Sequence, residues 1–371
     1  MRSALRALAE LVTPGRVHYP EVPPMELGMT PNDALENAHP PAWLDSVTLP
    51  SDTIDDIVVT REMISFACGN SVVTTRPVGA LDVTEFPSRV TALTAHEEKL
   101  LAAVDGYGIY ELAPGAASRL ICADEAVQNC VTALTGVAGG AVVAAIGSAT
   151  CKLDEWAWDL FGHKATGSLV RLSADGKVEQ TRTGLAWPAG LATGTGSTLL
   201  ASIAHDHRIE QIDPTSLRRT EDLASGLPSY PWGISHVEGR DTWWVAMPLV
   251  RSRFTEMMLE EQEFLDDMMS TVEMRSWYGP SMAGGDVFRE PLQLGGLRVL
   301  SQIKPWAPPR SYGLVAEIDS QGRVLRSAHS RAGGTTHGVV AAVETNGRLL
   351  LASRTRDEPV EVDLEECEVL R

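Results

Sequence analysis

The feature that most narrows the fold is repetition. Six times a short strand-like run opens a unit: Asp55-Asp56-Ile57-Val58-Val59, Val90-Thr91-Ala92-Leu93, and residues 127–133, 187–192, 232–236 and 337–343. Most are followed, across a Gly, Asp or Asn turn, by an aliphatic strand, as at 100–104, 141–145, 198–202, 243–247 and 348–353. A third strand often comes next, as at 167–172 and 208–212. The stretch 227–247 shows the unit most clearly: a Pro-rich segment, the run Trp232-Gly233-Ile234-Ser235-His236, the turn Glu238-Gly239-Arg240-Asp241, then Thr242-Trp243-Trp244-Val245-Ala246-Met247. That is a hairpin signature. Short β units recurring every ~40 residues argue for radial repetition. The predicted fold is all-β, a β-propeller; six units fit a six-bladed β-propeller, although the units are only weakly alike and their periodicity alone does not fix the blade count.

The rest of the chain is read around that ring. Residues 1–50 form an N-terminal helix and a wrapping segment, and 51–371 form the propeller. Leu5, Leu8, Leu11 and Val12 share one helical face, while Arg2, Arg6 and Glu10 interrupt any apolar run. This is an amphipathic helix, packed on the body or used for docking, and neither a signal peptide nor a membrane span. Residues 13–50 are rich in Pro. Residues 45–49 are placed to close the ring against a last unit ending near Val362. Two insertions break the rhythm, at 153–164 and at about 251–309. Within the second, Met257, Met258, Leu259, Phe264, Leu265, Met268 and Met269 recur at helical spacing over 255–274. That helix either packs as core or caps the central channel with an adaptable Met lining.

The net charge of −18 over 371 residues opposes binding to nucleic acid or to an anionic membrane. The expected partner is a small-molecule substrate; oligomeric state is left open. Five cysteines, scattered, odd in number and without CxxC spacing, read as reduced thiols in a cytoplasmic protein.

Three anchors carry a resemblance. They are Ser148-Ala149-Thr150-Cys151 with Asp154-Glu155-Trp156, Asp159-Leu160 and Thr166-Gly167-Ser168-Leu169-Val170-Arg171; Gly184-Leu185-Ala186-Trp187-Pro188-Ala189-Gly190-Leu191; and the 227–247 stretch. Together they resemble the strictosidine synthase family, within the six-bladed superfamily that includes paraoxonases and gluconolactonase/regucalcin proteins. The resemblance implies small-molecule chemistry in the central channel. It also implies calcium for some members, held by several oxygen ligands. Asp55 and Asp56 match an acidic ligand, and Gln128 and Asn129 lie near an amide ligand. However, the remaining donor positions are Ala189, Trp232 and Gly233, so no cofactor and no metal site are expected. Strictosidine synthase uses a glutamate in its last blade, where this chain has approximately Val340.

The residues themselves leave His337 as the proposed proton-transfer group, with Asp55 or Asp56 as its acidic partner across the first and last blades. Each has a plainer reading: His337 bonded to backbone, the aspartates as strand-start residues. Trp187, Tyr230 and Trp232 either line an apolar substrate pocket, together with Gln128 and Asn129, or pack as core beneath the cap. His205-Asp206-His207 resembles a metal cluster but is expected to be a solvated turn. The function expected is metal-independent hydrolysis of a lactone or ester. A metal-free condensation, cyclisation or isomerisation, and a non-catalytic binding propeller, stand as alternatives.

Overall fold

The computed structural model describes residues 32–44, 48–51, 53–60, 63–75, 81–97, 99–112, 117–282, 298–299, 302–303, 311–330 and 334–369. The expected N-terminal helix lies outside the described residues, as does much of the second half of the 251–309 insertion.

The chain forms a six-bladed β-propeller. Blades one to four are four-stranded antiparallel sheets that run in sequence order outward from the inner strands Ile54–Val59, Val90–His96, Val131–Val137 and Pro188–Thr193. Blade five starts at Ile234–His236 and receives Glu368–Val369 on its outer edge. Blade six is Val339–Thr345, Arg348–Ser353 and Val360–Asp363. The inner strands neighbour one another in order, and the last packs against the first, so the ring closes.

Second strands lie between two neighbouring blades and are apolar on both faces. In Ala141–Ile146 all six residues are buried. Outer strands face solvent, as Val178–Leu185 does over most of its length. The ring is sealed by His39, whose N–H and C=O pair with Glu361 at 3.1 and 2.8 Å. This corrects the expectation that 45–49 closes the ring. The edge of the last blade is met earlier in the chain, because Asn32 already anchors the segment to Ser327 and His329. Residues 45–47 lie outside the described set.

One irregularity repeats. Inner strands carry a bulge where they enter the ring, leaving Asp55, Thr91, Thr132, Ala189 and Val340 at corresponding positions of blades one, two, three, four and six. A bulge re-aims the side chain at the strand's mouth. The same face of the ring receives the turns between second and third strands. Among the described residues these include 147–166, 204–207, 247–282 and 354–359, so the first insertion and the described first half of the second stand on this face.

The expected helix over 255–274 is two helices. The first insertion contributes α1 (Trp156–Phe161). The second contributes α2 (Arg253–Met258), capped by Ser252 Oγ on the Thr255 N–H at 3.1 Å, and α3 (Gln262–Thr271). Leu265 and Met268 point inward and join one apolar cluster with Trp187, Tyr230 and Trp232. Met257 and Phe264 stay exposed.

Candidate functional site

Asp55 does not meet His337. Its fully buried carboxylate is held by Arg89, through Nε and Nη2 at 2.6 and 2.7 Å, and by Arg354 Nη2 at 2.5 Å. Arg89 also pairs with Asp154. Burial alone would raise the Asp55 pKa, but the two guanidinium groups outweigh it and hold the carboxyl below its ordinary range. Asp56 turns away from the channel and accepts the backbone N–H groups of Ile57 and Leu93, both at 2.8 Å. Burial pushes its pKa up to about 7 against those two hydrogen bonds. His337 Nδ1 faces Ser311 Oγ at 3.0 Å, and its N–H donates to Thr355 Oγ1 at 2.9 Å. The expected pairing of His337 with an aspartate is therefore replaced by bonds to its own neighbours, because two arginines reach Asp55 first.

The amides expected near a ligand are likewise committed. Gln128 Nε2 donates to the Ala123 carbonyl at 2.7 Å, and Asn129 Nδ2 to the Cys151 carbonyl at 3.2 Å. A calcium ion does not fit this set. Asp55 is already neutralised by two cations, and Ala189, Trp232 and Gly233 offer no side-chain oxygen. At Gly233 an added Cβ would stand 2.4 Å from the Val340 carbonyl, so the glycine lets two inner strands approach.

Across the same face, blades three to five build something the sequence reading missed. His205 sits in the short turn Ala204–Asp206, and it is not solvated. Its side chain is 6% exposed, and Nδ1 lies 3.4 Å from Oδ1 of Asp159, a fully buried carboxylate on α1. The turn is tied to the entrance of blade four, since the Ala204 and His205 N–H groups donate to the carbonyls of Trp187 and Ala186. Trp187 has a left-handed backbone, φ 59°, rare for a bulky residue and typical of functional sites. This brings its indole flat onto the His205 ring, with centroids 5.5 Å apart and planes at 20°. Tyr230 meets the other side edge-on at 6.3 Å, and Trp232 lies beyond Trp187 at 6.1 Å. So Trp187, Tyr230 and Trp232 do come together, around His205 rather than His337.

Buried polar atoms are nearly always hydrogen-bonded. Among the described residues ten buried side-chain polar atoms lack a hydrogen-bond partner, and five lie here: both Asp159 oxygens, His205 Nε2, Trp187 Nε1 and the Tyr230 hydroxyl. Burial lowers the His205 pKa below 6.5, with Asp159 opposing, so the imidazole is neutral at neutral pH. Burial also raises the Tyr230 pKa, keeping its hydroxyl a donor.

The insertions close over this pair. Arg251 and Glu256 form a bidentate ion pair at 2.9 Å, with His207 Nε2 3.8 Å from Glu256. His207 Nδ1 bonds the Ser229 carbonyl at 3.1 Å, and burial pushes its pKa down to about 3. Like His205, then, it is buried where a solvated residue was expected. His163 Nε2 joins the Leu259 carbonyl at 2.9 Å, and Trp158 packs edge-on against Trp277 at 4.6 Å. The missed signal was Asp159 itself, a carboxylate three residues after Trp156 on the apolar face of α1.

No family model and no curated protein matches the chain. Solved structures do. A luciferin-regenerating enzyme has a TM-score of 0.54 at 12% identity, covering 90% of this chain and 96% of that one. A regucalcin from Agrobacterium tumefaciens, described as calcium-binding, has a TM-score of 0.53 at 12% identity over 86% and 92%. A presumed gluconolactonase has a TM-score of 0.51 at 12% identity over 90% and 93%. At such identity the likeness establishes the propeller fold alone.

Proposed function

We propose that the chain hydrolyses a small lactone or ester without a metal, using His205 as general base. One observation carries this reading: a neutral imidazole beside a buried carboxylate, with its Nε2 and two flanking donors all without partners. Asp159 Oδ1, 3.4 Å from Nδ1, supports the imidazolium as it forms by its charge, and a small shift of the ring would bring Nδ1–H onto it. Nε2 removes a proton from water as the oxygen attacks the acyl carbon. The Trp187 N–H and Tyr230 O–H donate to the developing oxyanion. Collapse breaks the acyl–oxygen bond, and the imidazolium returns its proton to the leaving alkoxide. One structural neighbour, named as a presumed gluconolactonase, is in keeping with a lactone as substrate.

A strictosidine-type condensation is less well supported, since Val340 is a buried apolar residue at the position of that family's glutamate. A binding-only propeller has one observation in its favour: Trp187 and Trp232 belong to one buried apolar cluster with Ile54, Ala189, Val340 and Ala341. Activity decides between the two. His205→Asn and Asp159→Asn should lower kcat/KM on lactones or aryl esters by roughly 10²–10⁴-fold, with EDTA and added calcium having no effect on the wild type. Full activity in His205→Asn would refute the mechanism.

A further inference from the structure

We propose that this site takes an uncharged, apolar lactone or ester and rejects polyhydroxylated ones; the proposal rests on the hydrolytic reading above. Among the described residues, hydroxyls of blades three to five already donate to, or pair with, protein partners. Ser148 Oγ is bonded to Thr166 Oγ1 and the Cys151 N–H, and Ser202 Oγ to the Trp232 carbonyl. Thr132 Oγ1 donates to the Pro188 carbonyl, and Ser229 Oγ to Met247 Sδ. Among the described residues five unpartnered atoms of the site remain, and the reaction uses four of them: Asp159 Oδ1 and His205 Nε2 for the proton, Trp187 Nε1 and the Tyr230 hydroxyl for the oxyanion. Of these five, Asp159 Oδ2 is left for a ring hydroxyl.

The surroundings are hydrocarbon and sulfur. Trp156, Trp232, Leu249, Met268 and Trp277 belong to the same buried cluster as Trp187 and Tyr230. The nearby cation, Arg251, is spent on Glu256. A carboxylate on the substrate would meet Asp159 with nothing to neutralise it. A sugar-acid lactone would bury several hydroxyls without partners, each lowering affinity by roughly tenfold or more. An alkyl substituent gains about fourfold per buried methylene. The Met268 side chain adapts to its shape.

The test compares δ-gluconolactone with γ-lactones bearing alkyl chains of increasing length. Hydrolysis by the wild type and by His205→Asn is measured alongside binding, read from tryptophan fluorescence with Trp187→Phe as control. The expected result is His205-dependent hydrolysis that rises with chain length and exceeds that of gluconolactone about 100-fold or more. His205-dependent hydrolysis of gluconolactone at an equal rate would overturn the substrate class and leave the reaction standing. If no substrate is hydrolysed in a His205-dependent way, the reaction falls and binding decides the ligand class. Trp187-dependent quenching by the long-chain lactone but not by gluconolactone supports it, and quenching by neither or by both overturns it.

Discussion

Asp56→Asn tests the electrostatics of the ring directly. The Asp56 side chain is largely withdrawn from water and ties the first inner strand to the second through the Leu93 N–H. Its pKa rises from 3.8 to about 7 on folding, with burial the main cause. A raised folded pKa means the native state holds the proton more tightly than the unfolded chain. That contribution is fully present below pH ~3.8 and is lost as pH rises through ~7. At about 1.4 kcal/mol per pH unit, the wild type loses about 3 kcal/mol between pH 5 and pH 8 from this one group. Asparagine does not titrate. It still accepts one of the two amide hydrogen bonds, and losing the other is a pH-independent offset of about 1 kcal/mol. Asp55 stays ionised throughout this window, because its pKa is held below the ordinary range, so it cancels in the comparison. Urea unfolding at pH 5, 6.5 and 8 gives the stability of both proteins. The variant should gain about 3 kcal/mol relative to wild type across the series. A difference that is flat to within about 1 kcal/mol, or that falls, would refute the argument that Asp56 is buried in its protonated form.

Three further outcomes follow from the same geometry. Arg354→Met removes one of the two cations from the buried Asp55, leaving Arg89, and should destabilise the fold by about 1.5–3 kcal/mol, read as a lower urea midpoint; calcium or EDTA should leave the wild-type Tm unchanged, and a calcium-dependent rise would show that Asp55 is available to a cation. Gly233→Ala places a Cβ 2.4 Å from the Val340 carbonyl and should open the contact between blades five and six, lowering the midpoint with little change in the far-UV spectrum. The acid limb of kcat/KM should fall below pH 6.5, since burial lowers the His205 pKa and the base must be neutral; a limb above 6.5 would identify a different base.

The ring was legible because its signals are local. A strand packed between two blades must be apolar on both faces, and runs such as 141–146 declare this without any knowledge of the partner. The closing contact was not local. His39 and Glu361 pair across nearly the whole chain, and nothing about a histidine flanked by Ala38 and Pro40 marks it as an edge strand. The bulge positions were legible only in part. Asp55 stood out by its charge, but Thr91, Thr132, Ala189 and Val340 share its place in the ring without sharing its chemistry. The fate of Asp55 was decided by Arg89 and Arg354, which arrive from blades two and six.

The site was misplaced for a related reason. A His-Asp-His turn between two strands is solvated unless another segment covers it, and the covering segments here are insertions in blades three and five. Together they bracket blade four, where His205 lies. The same burial that hides this turn also gives it its chemistry. It lowers the pKa of the imidazole, and among the described residues no arginine or lysine pairs with the Asp159 carboxylate. The face is therefore divided. Blades one, two and six tie Asp55 to Arg89 and Arg354, while blades three to five gather five of the buried unpartnered polar atoms of the described residues around His205. Chemistry belongs where such groups cluster beside a buried carboxylate, since there a substrate gains several hydrogen bonds that the folded chain has not already made.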